Sequence, residues 1–279
     1  MTSSLVASLW ALSAALAWGT GDFSGGLASR RIGAFHTLLV SYIFGFSGLF
    51  ALALLSGETL SSTNDLAWGA LSGIVGLIGF LFMLHGFSVG RMGVVAPVSA
   101  VLSAVIPVVF TALSQGLPGN IQLLGFAVGL GSIWLISRKS ENEKRPAGLL
   151  PALLAGVGFA GFFICLDQIS DAATFWPLAA GRLVALALMA SYALFRRQVL
   201  IPKNSPMRLL IPAGLLDVLA NFFFLRSVQT GRLDITSVLV SLYPAITVLL
   251  ARVFADEHLE RMQILGVIGA LLAIVLITI

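Results

Sequence analysis

The chain alternates long apolar runs with short polar breaks along its whole length. A helix needs about 20 apolar residues to cross the hydrocarbon core of a bilayer, and runs of this order recur from the N-terminus to the C-terminus. The pattern predicts an all-α polytopic membrane protein with ten transmembrane helices. The predicted spans are 5–27, 34–56, 66–89, 93–115, 120–137, 148–166, 173–195, 208–229, 232–254 and 261–279.

Composition supports this class of protein. Apolar residues make up 58% of the 279 residues and charged residues only 10%, whereas a soluble domain carries about 25% charged residues. The first run has no basic residue before it, which favours a membrane helix over a cleaved signal peptide. The single cysteine, Cys165, excludes an internal disulfide, and the sequence predicts no cofactor, no metal site and no nucleic-acid partner.

A polar linker at 138–147 divides the chain into two halves of five spans, predicted as repeats at 1–137 and 148–279. An ungapped offset of 141 residues aligns 80–136 with 221–277 and gives twelve identities. Because five is an odd number, the second half is predicted to run in the opposite direction through the bilayer. Inverted repeats are typical of secondary transporters, which bind substrate near the midplane where the halves meet.

Basic residues predict the orientation. Thirteen Lys and Arg residues lie in loops on one side of the bundle, and the side with both termini has only Arg226 and Arg232. The positive-inside rule therefore predicts that both termini lie outside the cytoplasm. The thirteen are Arg30, Arg31, Arg91, Arg138, Lys139, Lys144, Arg145, Arg196, Arg197, Lys203, Arg208, Arg252 and Arg261.

Several motifs resemble the EamA-type transporters of the drug/metabolite transporter superfamily. They are Trp18-Gly19 in span 1, Arg182 in span 7, Pro244 in span 9, the pair Asp256-Glu257 and the Gln263-x-x-Gly266 string. The resemblance implies a ten-helix transporter with both termini in the cytoplasm, which conflicts with the loop charges, and we prefer the orientation that the charges predict. The first half departs from this pattern, with Tyr42 in place of Arg182, Ser103 in place of Pro244 and Gln115-Gly116 in place of the acidic pair.

Charged side chains inside spans are costly and are expected to face a cavity or a partner. Asp22 lies toward the end of span 1, one helical turn after Trp18, on a face otherwise rich in small residues. This face is a candidate cavity lining. The alternative is an interfacial helix-end aspartate paired with Arg30 or Arg31.

Arg182 and Asp217 lie near the centres of consecutive spans, and Asn221 follows Asp217 by one turn. Equal depth predicts that the two charges lie within reach of each other. A substrate-binding role and a purely structural ion pair are both compatible with this placement.

Other polar residues are weaker candidates. Tyr243 could line the cavity near Pro244, where a break in span 9 is expected, and kinks are also expected at Pro97 and Pro107. His85 is a candidate proton relay, although a lone histidine is more often a hydrogen-bonded interface residue.

The string Gly19-Thr20-Gly21-Asp22 raises one alternative function. G-x-G-D occurs in intramembrane aspartyl proteases, which need two carboxyl groups, here Asp22 and Asp217. The expected Tyr-Asp dipeptide is absent from the sequence, and Asp217 follows the G-x-G-D string instead of preceding it. A lipid-handling protein is a further alternative.

The sequence therefore predicts a multi-pass transporter of the cell (inner) membrane, not an enzyme, which moves a small metabolite or drug-like solute. We consider proton-coupled export by a monomer or homodimer. Because loss of water favours the neutral form of a carboxyl group, Asp22 is the candidate proton carrier. Asp217, close to Arg182, is the candidate substrate anchor.

Overall fold

The computed structural model describes residues 3–115, 119–136, 148–255 and 261–278. Within these ranges the chain forms helices and no strands, which confirms the all-α prediction. The predicted linker 138–147 and the pair Asp256-Glu257 lie outside the described residues. The helices are α1 (Ser3–Leu55), α2 (Thr63–Val89), α3 (Met92–Gln115), α4 (Asn120–Ile136), α5 (Leu149–Asp167), α6 (Phe175–Phe195), α7 (Met207–Thr230), α8 (Leu233–Val240), α9 (Tyr243–Phe254) and α10 (Arg261–Thr278).

Helix α1 contains the first two predicted spans. It is broken only at Gly33, whose backbone (φ 79°, ψ 159°) lies in a region that is open to glycine and strained for other residues. The first arm, 3–32, packs antiparallel to α7, and the second arm, 34–55, packs parallel to it. The expected polar loop at 28–33 is therefore helical, and one glycine reverses the chain.

Six helices of the described part are long and apolar enough to cross a membrane, namely α1, α2, α3, α5, α6 and α7. The apolar part of α1 has 51 residues, and at about 1.5 Å per residue this is enough for two crossings.

The distribution of exposed and buried side chains is the reverse of that in a soluble protein. Leu16 and Leu55 are 57% and 83% exposed, whereas Asp22 and Arg182 are only 6% and 9% exposed.

The ninth predicted span is interrupted where proline predicts it. Helix α8 ends at Val240 and α9 begins at Tyr243, directly before Pro244. Proline lacks an N–H and clashes with the preceding turn, which disfavours a continuous helix here, and Pro244 lies in the first turn of α9, where proline is tolerated. In contrast, Pro97 and Pro107 lie inside α3, which is helical throughout.

The two halves pack on each other with equivalent contacts. Gly21, in the first arm of α1, lies against the side chain of Leu216 in α7. At offsets of 140 and 141 residues, the corresponding contact is between Gly161 in α5 and Val75 in α2, and the structure has it. The first arm of α1 therefore packs against α7, and α5 against α2, as equivalent pairs that each join the two halves.

Candidate functional site

A buried polar cluster surrounds Asp217 at the centre of the bundle. Its Oδ1 accepts hydrogen bonds from Trp18 Nε1 (3.1 Å) and Asn221 Nδ2 (3.0 Å), and its Oδ2 forms an ion pair with Arg182 Nη2. Trp18 comes from the first half and the other three residues from the second. The pairing expected for Arg182 and Asp217 is present, and it also fixes the indole of Trp18.

Arg182 is held on its other side by an aromatic ring. Its guanidinium carbon lies 3.9 Å from the centre of the Tyr42 ring, a cation–π contact. Tyr42 is the residue that occupies the position of Arg182 in the first half. These two residues occupy equivalent positions in the two halves, and they contact each other at the centre of the bundle.

Asp22 has a different environment. It is 6% exposed, and its carboxylate has no hydrogen-bond or ion-pair partner among the described residues. The expected alternative, a solvated aspartate paired with Arg30 or Arg31, is therefore not what the described residues show. Nearby, the Thr37 hydroxyl is also buried without a partner in the described part of the chain.

Three small cavities meet around the ring of Phe80. The arginine cavity is lined by Tyr42, Arg182 and Asn221, and the hydroxyl cavity by Asp22, Thr37, Ser41 and Tyr42, among others. The aromatic cavity contains one carboxylate surrounded by rings, and its lining residues are Trp18, Asp22, Phe80, Phe159, Phe162, Phe163 and Tyr243. Each cavity shares residues with the others, and all three include residues from both halves.

The cavities are contracted. The volume open to the centre of a water molecule is about 20 Å³ in the arginine cavity and in the aromatic cavity, and about 30 Å³ in the hydroxyl cavity. A water molecule needs roughly 10–15 Å³ by this measure. This conformation therefore has room for a few water molecules, and a solute would require the helices to move apart.

The two remaining candidates lie in different places. Tyr243 is buried in the aromatic cavity, and its hydroxyl is 2.7 Å from the hydroxyl of Ser99 in α3. His85 is on the exposed surface of α2, apart from the cluster. The structure thus brings six of the seven candidate residues together and leaves His85 outside.

Sequence reasoning did not identify a second polar network, which joins the halves at the end of the bundle that carries the N-terminus. The Glu58 carboxylate accepts hydrogen bonds from the backbone N–H groups of Thr174 and Phe175, both at 2.9 Å. The indole of Trp176 donates to the backbone carbonyl of Glu58 at 3.0 Å. Glu58 thus supplies a negative charge to the N-terminus of α6 from the other half of the chain.

Asp65 makes the adjacent contact. Its carboxylate accepts hydrogen bonds from Ser170 N (2.8 Å) and Ser170 Oγ (3.0 Å), and also from Ser62 Oγ. Gln229, at the end of α7, donates to the carbonyls of Ser170 and Ala173. We call the network formed by Glu58, Asp65 and these partners the terminal latch.

Only part of the latch has a signature in the sequence. Ser62-x-x-Asp65 has the spacing of a capping box at the start of α2: the Ser62 hydroxyl accepts from the backbone N–H of Asp65 and donates to the Asp65 carboxylate. The backbone donors that Glu58 binds belong to a loop more than a hundred residues away and have no sequence signal.

The sequence also did not identify the aromatic residues of the cavity, such as Phe80 and Phe162. In the hydrophobic pattern they cannot be distinguished from the apolar residues that face lipid.

Comparison with known proteins agrees with this architecture. The model of the EamA-like transporter family matches residues 5–138 and 146–279, one match in each half. A crystal structure described only as that of a protein has the same fold, with a TM-score of 0.74 and 17% identity over 99% of this chain and 96% of the other. No curated protein matches. The chain belongs to the EamA-like transporter family and is a multi-pass membrane transporter of the drug/metabolite type.

Proposed function

We propose that the protein is a secondary transporter that exports a small metabolite or drug-like solute by alternating access. The observation that carries this proposal is Asp22, a buried carboxylate without a partner among the described residues, in a cavity bounded by both halves. A charged group in the membrane interior is expected to serve a transport path or a partner. Here the partner would be the transported solute or a proton.

The proposed topology has ten crossings in two inverted repeats, 1–137 and 148–279, joined by the linker 138–147. The two arms of α1 supply the first two crossings, and α8 with α9 supplies the ninth. Five crossings per half require the second half to be inverted. With the basic loops in the cytoplasm of the cell (inner) membrane, both termini would lie on the opposite side.

Alternating access is supported by the contracted cavities together with the terminal latch. The latch joins the halves at one end through hydrogen bonds that Glu58 and Asp65 accept from residues 170–175. Hydrogen bonds of this kind can break and reform as the halves rock. Opening at this end would expose the cavity to the side that carries the termini.

Proton coupling is assigned to Asp22 in this proposal. Asp217 already accepts three donors, so its charge is neutralised in place, whereas Asp22 has none among the described residues. The groups that face Asp22 are Asp217 on α7 and Tyr243 on α9. Neither is a cation, so a proton or a bound cation is needed to neutralise the Asp22 carboxylate.

The same contacts weigh against the protease alternative. Two catalytic carboxyl groups must share a proton, but the carboxylate of Asp217 is paired with Arg182 and bonded to Trp18 and Asn221. We therefore propose transport and not peptide hydrolysis.

Flux measurements in proteoliposomes test the proposal. A panel of radiolabelled small solutes is screened with and without an imposed pH gradient, and at least one is expected to accumulate only with the gradient. Asp22→Asn should abolish gradient-driven accumulation, and Asp171→Asn, on the exposed surface, should retain it. Accumulation by Asp22→Asn at the normal level would refute coupling at Asp22, and proteoliposomes that move no solute would refute transport.

A further inference from the structure

The aromatic cavity combines one carboxylate with an unusual number of ring faces. Trp18, Phe162 and Phe163 form a triangle with ring-centre separations of 5.8, 5.9 and 6.4 Å. Phe80 and Phe159 form an edge-to-face pair with ring centres 4.9 Å apart in the same lining. Asp22 is the only charged residue of this cavity among the described residues.

The neighbouring residues Arg182 and Asp217 are paired with each other, so Asp22 is the charged residue that is available to a ligand. Arg182 is paired with Asp217 and stacked on Tyr42, and the Asp217 oxygens already accept from three donors. A ligand that bound either residue of the pair would have to replace existing contacts. A ligand that bound Asp22 would supply a contact that is missing in the described structure.

Rings and a carboxylate attract the same kind of ligand. The face of an aromatic ring is negative and binds cations, most strongly when water is excluded. A carboxylate removed from water also binds a cation or a proton in preference to remaining charged and alone. An anion or a neutral polar solute would leave the Asp22 charge unpaired and gain little from the rings.

We propose that the aromatic cavity binds an organic ammonium ion, with its charged nitrogen against Asp22 and its apolar body against the surrounding rings. This inference rests on the transport function proposed above and names the substrate class of the same site. Trp18 is held in place for this contact because its N–H is bonded to Asp217. Asp217 is therefore a positioning residue, and Asp22 is the ligand-binding residue.

The proposal also explains how a proton could be exchanged for the solute. One carboxylate can hold a proton or an ammonium ion, but not both. The other groups on the surrounding elements are Asp217 on α7, Tyr243 on α9 and Tyr42 on the second arm of α1, with Arg182 neutralised by Asp217. Release of the ammonium ion on one side would thus require protonation of Asp22 there.

Equilibrium binding to the purified full-length protein tests the inference without any gradient. The probes share one phenyl ring and a short chain: phenethylamine is a cation, phenethyl alcohol is neutral, hydrocinnamate is an anion and L-phenylalanine is a zwitterion. The cation should bind at least about tenfold more tightly than the alcohol and the anion. Equal binding of cation and alcohol, or tightest binding of the zwitterion or the anion, would overturn the proposal.

Substitutions of Asp22 test whether this residue binds the cation. Asp22→Asn should remove the about tenfold preference for the cation while binding of the alcohol is unchanged, and Asp22→Glu should keep the preference. With benzyltrimethylammonium, whose charge does not depend on pH, binding should tighten as pH rises in the parent protein and remain constant in Asp22→Asn. Size-exclusion and circular dichroism profiles identical to those of the parent protein show that each variant is folded. A preference that persists in Asp22→Asn would place the cation elsewhere and end the proposal.

The two proposals fail in different ways. Cation-selective binding that depends on Asp22 but is accompanied by no flux would support the ligand site and refute transport. Gradient-driven flux of an anion or a neutral solute, with no cation preference in binding, would support transport and refute the ligand class.

Discussion

The most direct test of the polar cluster is the substitution Asp217→Asn. The substitution preserves the size of the side chain and leaves one oxygen that can still accept from Trp18. That oxygen also accepts from Asn221, whereas the new amide N–H group faces the N–H donor of Arg182, and the negative charge that neutralises Arg182 is lost. Arg182 then remains buried as an unpaired cation.

The structure sets the size of the effect. Arg182 is 9% exposed and Asp217 is 8% exposed, so water screens the pair little. Removal of one partner of a buried ion pair typically costs about 3–5 kcal/mol, because the remaining charge is uncompensated. Since about 1 kcal/mol shifts the melting temperature of a protein of this size by roughly 2–4 °C, we expect a decrease of about 10 °C.

Thermal unfolding in detergent measures the effect, with Asp171→Asn as the matched control on the exposed surface. The double variant Arg182→Met with Asp217→Leu removes both charges and should recover most of the loss, since an apolar pair replaces an ion pair at little cost. If Asp217→Asn melts within about 1 °C of the control, or if the double variant is as unstable as the sum of the single variants, the cluster does not stabilise the bundle as argued.

The remaining predictions concern the chain reversal, the latch and the orientation. Gly33→Ala should lower the free energy of unfolding by about 1–3 kcal/mol, because the backbone conformation of Gly33 is strained for alanine. Gly131→Ala is the control, since Gly131 has open space around it and the substitution should cause no such loss. Equal melting temperatures for the two variants would contradict the role of Gly33. Glu58→Gln should speed hydrogen exchange of the Thr174 and Phe175 amides, because a neutral side chain with one acceptor oxygen replaces a carboxylate that binds both; unchanged exchange would show that the latch does not hold this end. A C-terminal reporter that is active only in the cytoplasm should remain inactive, as the loop charges predict, and an active reporter would reverse the proposed orientation.

Much of the fold could be predicted because the bilayer sets the length of each apolar run. The runs gave the helices, and Pro244 gave the break between α8 and α9. The contact between Arg182 and Asp217 followed from their depth in consecutive spans, since two buried charges lower each other's cost. These predictions use properties that each residue has within its own helix.

The sequence gives little information where partners come from distant parts of the chain. The hydrophobic pattern shows that Phe80 and Phe162 lie in membrane helices, but it does not distinguish a ring that faces the cavity from one that faces lipid. The hydrogen bonds of Glu58 depend on backbone donors of another loop, and any sequence can supply those. For His85, the depth in the span was known but the face was not, and the structure places it on the exposed side.

The relation between the halves explains why the cavity has a single available carboxylate. The close approach of Gly73 to Gly181 is repeated, at offsets of 141 and 140 residues, by the close approach of Gly214 to Ser41. Small residues thus maintain the same helix packing in both halves, since a larger side chain at these positions would collide with the facing backbone.

The cavity lining, in contrast, differs between the halves. At the same offsets Asp22 corresponds to Phe162, and Asp217 corresponds to Gly76. A cavity lined by two identical halves would hold each charged group twice, and two carboxylates side by side would repel each other or share a proton. Among the described lining residues, Arg182 is paired with Asp217 and Asp22 has no hydrogen-bond or ion-pair partner, which leaves one carboxyl group for the proton or monovalent cation of the proposed exchange. The helix packing therefore retains the repeat, and the divergence of the lining residues supplies the single carboxyl group on which the proposed exchange depends.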